Sequence, residues 1–365
     1  MTARKDYIEF ANTLRGIAAL MVLAAHYLGA FWSNPAGVGI LSNSLQAEIA
    51  SYTPLVSVLT QKLALFINLG AFGVAVFFLV SGFVIPLSLI KKSSYSFFKG
   101  RVRRIFPTYF AGFSITILSL WLSSLYFSNP FPYSFKEVAI HYIPGLRDIL
   151  WSRHIDGIVW TLEIELKFYL VCGLCISLFR KNSYFVFLIP VFGFLISIWV
   201  LYQTTYILSV GSIQYKIAYI FTYSTKYICF MFIGVAMNYL YRDIISSVQA
   251  IILSLVLILL MFILWFAEPF RQSLHVIVNY MIAIIVFGLS YFYRGKFSFN
   301  RLTNFFANIS YPLYVSHAIF GYVFMSILLD RKLDPNIAIL LTTCSSIAIA
   351  WFLHKYVEKS FMRSS

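Results

Sequence analysis

The chain has 365 residues, of which 60% are hydrophobic and only 11% charged, with a formal net charge of +15. A soluble globule of this length keeps about a quarter of its residues charged, so polar surface is too scarce for a water-soluble fold. Apolar runs of about twenty residues, separated by short charged punctuation, have the pattern of membrane-spanning helices.

These runs predict an all-α, polytopic membrane protein of about ten transmembrane helices, forming a single domain over residues 1–365. In chain order the expected spans are 12–32, 68–90, 105–127, 158–179, 184–203, 226–241, 248–267, 274–293, 307–329 and 336–356. The sixth has the weakest boundary, because the apolar stretch 213–221 upstream either extends or replaces it. The first is too long for a cleaved signal peptide, carries Arg15 and His26, and lacks a small-residue cleavage site.

Threading the spans alternately across a bilayer sorts the basic residues. One side collects Arg4, Lys5, Lys91, Lys92, Lys99, Arg101, Arg103, Arg104, Arg180, Lys181, Arg242, Arg294, Lys296, Arg301, Lys355, Lys359 and Arg363. This is roughly twice the number on the other side, and the positive-inside rule makes the richer side cytoplasmic. Both termini are expected there, and the net charge reads as an orientation signal, with no nucleic-acid partner. Cys172, Cys175, Cys229 and Cys344 all fall inside apolar spans and read as packing residues, so no disulfide and no metal are expected. The outer connections 33–67, 128–157 and 204–225 are too short for a separate catalytic fold. The second carries His141, Arg147, Asp148, Arg153, His154 and Asp156. No internal repeat marks an inverted-repeat transporter.

Ionisable side chains inside a bilayer are costly and therefore mark function. Lys226, His275 and His354 lie at expected span ends, where they can reach the interface. The remainder are Arg15, His26, Glu163, Glu165, Lys167 and His317. Arg15 and His26 are eleven residues apart, which places them on one helix face about 16 Å apart along the axis. Arg15 either snorkels to the headgroups or joins a site with His26. In the fourth span Glu163 and Lys167 form an i,i+4 pair. Glu165 points about 200° from Glu163 and shares a stripe with Thr161, Leu162, Phe168 and Tyr169. Its depth matches that of His26, which suits a base and its orienter, with a structural ion pair as the alternative. In the ninth span Pro312 fits the first helical turn. Ser310, Tyr314 and His317 follow on one face, as site lining or as an interhelical seam. Ser81-Gly82 reads as a place of close backbone approach rather than as a nucleophile. Arg101, Arg103 and Arg104 set topology, bind lipid phosphate or hold a phosphorylated cofactor.

Five clusters occur in order: Arg15-x10-His26, Phe77-Phe-x-x-Ser81-Gly-Phe83, Arg104-Ile-x-Pro107-x-Tyr109, Trp160-Thr-Leu-x-x-Glu165-x-x-Phe168-Tyr169 and Ser310-Tyr311-x-x-Tyr314-x-x-His317. Together they resemble acyltransferase family 3, bacterial membrane proteins that include the O-antigen and exopolysaccharide O-acetylases. One departure is Glu358-Lys-Ser360, where many relatives have Glu-x-Pro. The resemblance implies a bacterial inner-membrane enzyme that moves an acyl group, usually acetyl, from cytoplasmic acyl-CoA to a hydroxyl of a surface glycan or lipid-linked glycan. It further implies that no cofactor stays bound and that acetyl-CoA, or another acyl-CoA, is the donor substrate. Arg15 and His26 match the pair regarded as essential in that family.

The expected mechanism docks the phosphates of the donor on Arg15 and on Arg101, Arg103 and Arg104. His26 is the expected general base, oriented by Glu165, or alternatively the carrier of the acyl group. Tyr311, Tyr314, His317, Trp160 and Tyr169 are expected along the substrate tunnel, with Tyr311, Tyr314 and His317 available as oxyanion donors. The rival class is a transporter or flippase of a lipid-linked glycan, which predicts no dependence on acyl-CoA. A glycan polymerase is disfavoured by the short outer loops.

Overall fold

The computed structural model of the protein describes residues 8–44, 53–207, 209–267 and 271–363. Arg4 and Lys5, counted above for orientation, lie outside these residues. The described residues contain helices and no strands. Among the described residues nine helices are long and apolar enough to cross a membrane: α1 Glu9–Ser33, α2 Leu69–Lys91, α3 Ser94–Tyr126, α5 Tyr184–Thr204, α6 Ile213–Tyr241, α7 Ser247–Phe266, α8 Leu274–Phe292, α9 Arg301–Asp330 and α10 Pro335–Met362. The remaining expected span, 158–179, is the 16-residue helix α4 (Val159–Leu174), which breaks at Cys175 before a short helix Ile176–Arg180. At 1.5 Å per residue α4 is about 24 Å long, short of a hydrocarbon core of about 30 Å.

Several boundaries differ from the sequence expectation, each for a local reason. The sixth span is one continuous helix of 29 residues, because the Ser212 side chain accepts from Tyr215 N at 3.1 Å and starts the helix upstream. Lys226 therefore sits at mid-helix, fully buried, with its ammonium 4.4 Å from the centre of the Tyr223 ring. It does not reach an interface. The third span starts at Ser94, capped by Ser93, so Arg101, Arg103 and Arg104 are helical residues of α3, Arg101 and Arg104 on one face and Arg103 turned away from it. The ninth starts at Arg301 behind the Asn300 cap, which leaves Pro312 in the helix interior, not in the first turn. Proline there removes one backbone donor and loosens the ladder locally.

At the centre lie α1, α2, α6 and α9, joined by small residues. A Cβ on Gly82 of α2 would overlap the Met231 carbonyl of α6, and one on Gly234 would stand 2.8 Å from Phe83 N. A Cβ on Gly321 of α9 would overlap the Tyr27 ring. Asn238 Nδ2 donates to Phe83 O at 2.8 Å across the α2–α6 seam. Small-residue contact plus interhelical hydrogen bonds is how helices associate where lipid cancels the hydrophobic drive. On α5 and α7, by contrast, Trp199, Val248 and Leu255 are mostly exposed, as suits a lipid-facing surface.

The connection 127–158 folds back onto α4. Its helix Phe135–His141 has a Ser134/Glu137 capping box, and Asp156 Oδ1 accepts from Ile158 N and Val159 N, both at 3.1 Å, to start α4. The expected Glu163–Lys167 pair does not form. Glu163, 2% exposed, takes a two-pronged bond from Arg147, with Nε at 2.7 Å, while Lys167 pairs with Asp148. Arg147 Nη1 also donates to His154 Nε2 at 2.9 Å. Partial desolvation of its ring and the Arg147 charge hold the His154 imidazole down to about 4.

Candidate active site

A cavity of about 250 Å³ opens where α1, α3 and α9 begin and α2 and α4 end. Arg15, Ser81, Arg101, Arg104, Glu165, Tyr169, Tyr311 and Tyr314 supply its polar wall, and Val74, Phe77, Phe78 and Leu162 its apolar one. Glu165 accepts from Ser81 Oγ at 2.5 Å and from Tyr169 Oη one helical turn on. Arg101 donates to Ser88 Oγ at 3.1 Å and lies over the Phe97 and Tyr169 rings at 5.3 and 5.0 Å. Arg104 Nε is 3.7 Å from Glu358, which also holds His354 Nδ1 at 2.6 Å. Arg15 makes no hydrogen bond or ion pair to any described residue and points its donors into the cavity. Three guanidiniums against one lining carboxylate leave a positive chamber with a free arginine, the arrangement that takes an anion such as a phosphate.

Farther along α1 the backbone widens into a π-helical turn, Ala25–Ala30, that carries His26. Such turns occur mostly at functional sites. His26 Nδ1 is 2.6 Å from Tyr322 Oη, and its ring stands edge-on to His317, centroids 4.8 Å apart and planes at 89°. His317 is 1% exposed, with Nδ1 at 2.9 Å from Leu313 O and 3.0 Å from Tyr314 O. The neighbouring Tyr27 hydroxyl donates to His317 O at 2.7 Å and meets Ser346 Oγ at 2.7 Å. Between the cavity and the histidines stands Tyr314. Its ring is 6.0 Å from that of His317, and its hydroxyl is 2.7 Å from Thr161 Oγ1.

The expected site residues thus divide into two groups. Arg15, Arg101, Arg104, Glu165, Tyr169, Tyr311 and Tyr314 meet at the cavity. His26 and His317 form a second cluster beyond Tyr314. Glu165 does not orient His26: its bonds go to Ser81 and Tyr169, and Tyr322 takes the place at the imidazole. Arg103 is absent from the cavity wall, because two residues from Arg101 is about 200° around a helix. Trp160 is not in the wall either; its ring packs on Phe78, Tyr223 and Tyr227. His317 does not line the cavity, and its committed Nδ1 leaves the neutral ring no donor for an oxyanion.

The family model of the acyltransferase domain, acyltransferase 3, matches residues 8–355. The chain belongs to this family. Two relatives of this acyltransferase 3 member are nodulation protein 10 of Rhizobium leguminosarum bv. viciae and an O-acetyl transferase of Shigella phage Sf6. The first is 31% identical over 127 residues, 30% of this chain and 34% of that one. The second is 25% identical over 192 residues, half of each chain. The chain therefore spans at most half the length of these curated relatives. No solved structure matches it.

Other residues of this acyltransferase 3 chain stand at or beside the two clusters, although sequence alone assigned them no site role. Ser81 is more than a packing residue, since it lines the cavity and donates to Glu165. His354 is 8% exposed and bonded to Glu358, itself 3% exposed. Their i,i+4 spacing was the available signal. Tyr322 had none, being 296 positions from His26.

Proposed function

We propose that this protein is a bacterial inner-membrane O-acyltransferase that moves an acyl group, most simply acetyl, from cytoplasmic acyl-CoA to a hydroxyl of a cell-surface glycan. The observation that carries the reading is the cavity of Arg15, Arg101 and Arg104, separated by one tyrosine from a facing pair of histidines. The cavity opens at the end of the bundle that holds the connections 92–93, 175–183 and 293–300, the side the basic residues assign to the cytoplasm. A donor with phosphates and a thin thioester arm suits such a site. The guanidiniums hold its phosphates, and the arm passes the apolar wall toward His26 and His317. Arg15 lies about 16 Å from His26 along α1, so one end of the donor sits at the mouth while the other reaches the histidines. The acceptor hydroxyl arrives from the opposite side of the membrane. The name of the phage relative points to acetyl as the group transferred.

The test is the mass of surface glycan purified from a deletion strain, from the complemented strain and from one complemented with His26→Ala. The expected result is loss of an acyl-sized increment in the deletion, restored by wild type and not by His26→Ala at equal membrane abundance. Unchanged mass with less glycan at the surface would instead mean transport.

A further inference from the structure

The two facing imidazoles hold opposite tautomers, as their partners dictate. His317 Nδ1 lies within bonding distance of two carbonyl oxygens, Leu313 O and Tyr314 O. Carbonyls only accept, so Nδ1 carries the proton and Nε2 of the neutral ring is a bare lone pair. That nitrogen is buried and meets no hydrogen-bond partner among the described residues. His26 shows the reverse. Its Nδ1 lies 2.6 Å from Tyr322 Oη, and Tyr322 is 3% exposed. The phenol has one proton to place, and His26 Nδ1 is its only side-chain partner among the described residues. Leaving a buried donor unbonded costs about 1–3 kcal/mol. The phenol therefore donates to Nδ1, and neutral His26 keeps its own proton on Nε2.

We propose that His317 Nε2 is the base that accepts the proton of the acceptor hydroxyl, while His26, held by Tyr322 in its Nε2–H form, donates a hydrogen bond to the developing oxyanion. This rests on the acyl-transfer reading and divides between two residues the work that one histidine was expected to do. The acceptor oxygen attacks the thioester carbonyl as its proton moves to His317 Nε2. The carbonyl oxygen becomes an oxyanion and accepts from His26 Nε2–H. Collapse of the tetrahedral intermediate restores the carbonyl, breaks the carbon–sulfur bond and returns the proton from His317 to the departing thiolate, giving ester and free thiol. Tyr322 is a positioning residue, since its hydroxyl acts on the reaction only through His26. In the state described His317 is sealed, so access requires Tyr314 to swing from its place beside Thr161.

Two readouts on the full-length protein in membranes test this. Everted vesicles containing the native glycan receive radiolabelled acetyl-CoA, and label is counted in polymer-sized material. His317→Gln is expected to lose about 100-fold or more, the size of a lost general base. His26→Gln, whose amide N–H replaces the donor, should transfer at least about tenfold faster than His26→Ala, for which loss of an oxyanion donor predicts a fall of about 100- to 1,000-fold. Tyr322→Phe should lower kcat with KM for acetyl-CoA unchanged. Nitrogen NMR of protein labelled at its six histidines reports tautomers without any turnover. Wild type is expected to show His26 protonated at Nε2 and His317 at Nδ1, with an Nδ1–H form of His26 emerging in Tyr322→Phe. His26 protonated at Nδ1 in wild type, near-normal transfer by His317→Gln, or equal inactivity of His26→Gln and His26→Ala would each overturn the assignment. If wild type transfers no label, the acyl-transfer reading fails, and the NMR result still decides the tautomers.

Discussion

Replacing Gly82 by alanine tests whether helix packing, and not only the polar residues, builds the cavity. The new Cβ would overlap the Met231 carbonyl oxygen, stand 2.9 Å from its carbon and 3.2 Å from Gly234 Cα. All three are backbone atoms of α6, so no side chain can rotate away. Relief requires α2 and α6 to part by about 1 Å, and overpacking of this kind typically costs about 1–3 kcal/mol. Parting shifts Ser81, next along the same helix, relative to Glu165 Oε1, now 2.5 Å distant. A misplacement of about 1 Å in a reacting site can cost about 100-fold in rate. The expected result for Gly82→Ala is a lowered melting temperature in detergent together with acyl transfer reduced at least about tenfold. Ser81→Ala separates the two effects, because it keeps the packing and removes only the hydrogen bond, worth about 1.5–3 kcal/mol to a charged acceptor. A Gly82→Ala protein that melts and transfers acyl groups like wild type would show that the α2–α6 seam tolerates movement and that the reasoning is wrong.

Three further outcomes are expected. Arg147→Met leaves the Glu163 carboxylate buried without its partner and should destabilise the protein by about 3–5 kcal/mol, whereas Arg147→Met with Glu163→Leu should recover most of this; thermal melts that coincide for the single and double variants would rule the pairing out. Arg15→Ala or Arg104→Ala should raise the KM for acetyl-CoA by roughly 10- to 100-fold, the worth of a charged hydrogen bond, while Arg103→Ala, off the cavity wall, stays within about threefold, and initial rates showing the reverse order would remove the docking site. His154 is held neutral, its imidazole moved from 6.5 down to about 4, so the unfolded connection binds the extra proton first and stability falls as pH drops from about 6.5 toward 4; protection factors in 128–157, which are corrected for the intrinsic exchange rate at each pH, should fall as pH drops across that window and stay level in His154→Gln.

What was legible in the sequence follows from what is local. Apolar run length located nine spans that are long helices among the described residues, and of the two motif residues of α1 one lines the cavity and the other stands against His317. Boundaries failed where a cap outside the apolar run set the start, as Ser93, Ser212 and Asn300 do, because hydropathy does not register a helix that continues past the hydrocarbon. Partners failed for a different reason. Spacing identifies the faces of one helix but not the azimuth of its neighbour, so matched depth suggested a Glu165–His26 bond that the rotation of α4 does not make. The same rotation turns Glu163 and Lys167 toward Arg147 and Asp148 of the 128–157 connection and away from each other. Separating Glu165 from His26 also has a chemical consequence. A carboxylate bonded to a neutral imidazole holds the proton on the nitrogen facing it and favours the imidazolium, making His26 a base. A phenol in that position donates instead and leaves His26 a hydrogen-bond donor. In the proposed mechanism the carboxylate stays among arginines, where its negative charge balances the site proposed for the donor's anionic end, and proton acceptance passes to His317, whose Nε2 meets no partner among the described residues.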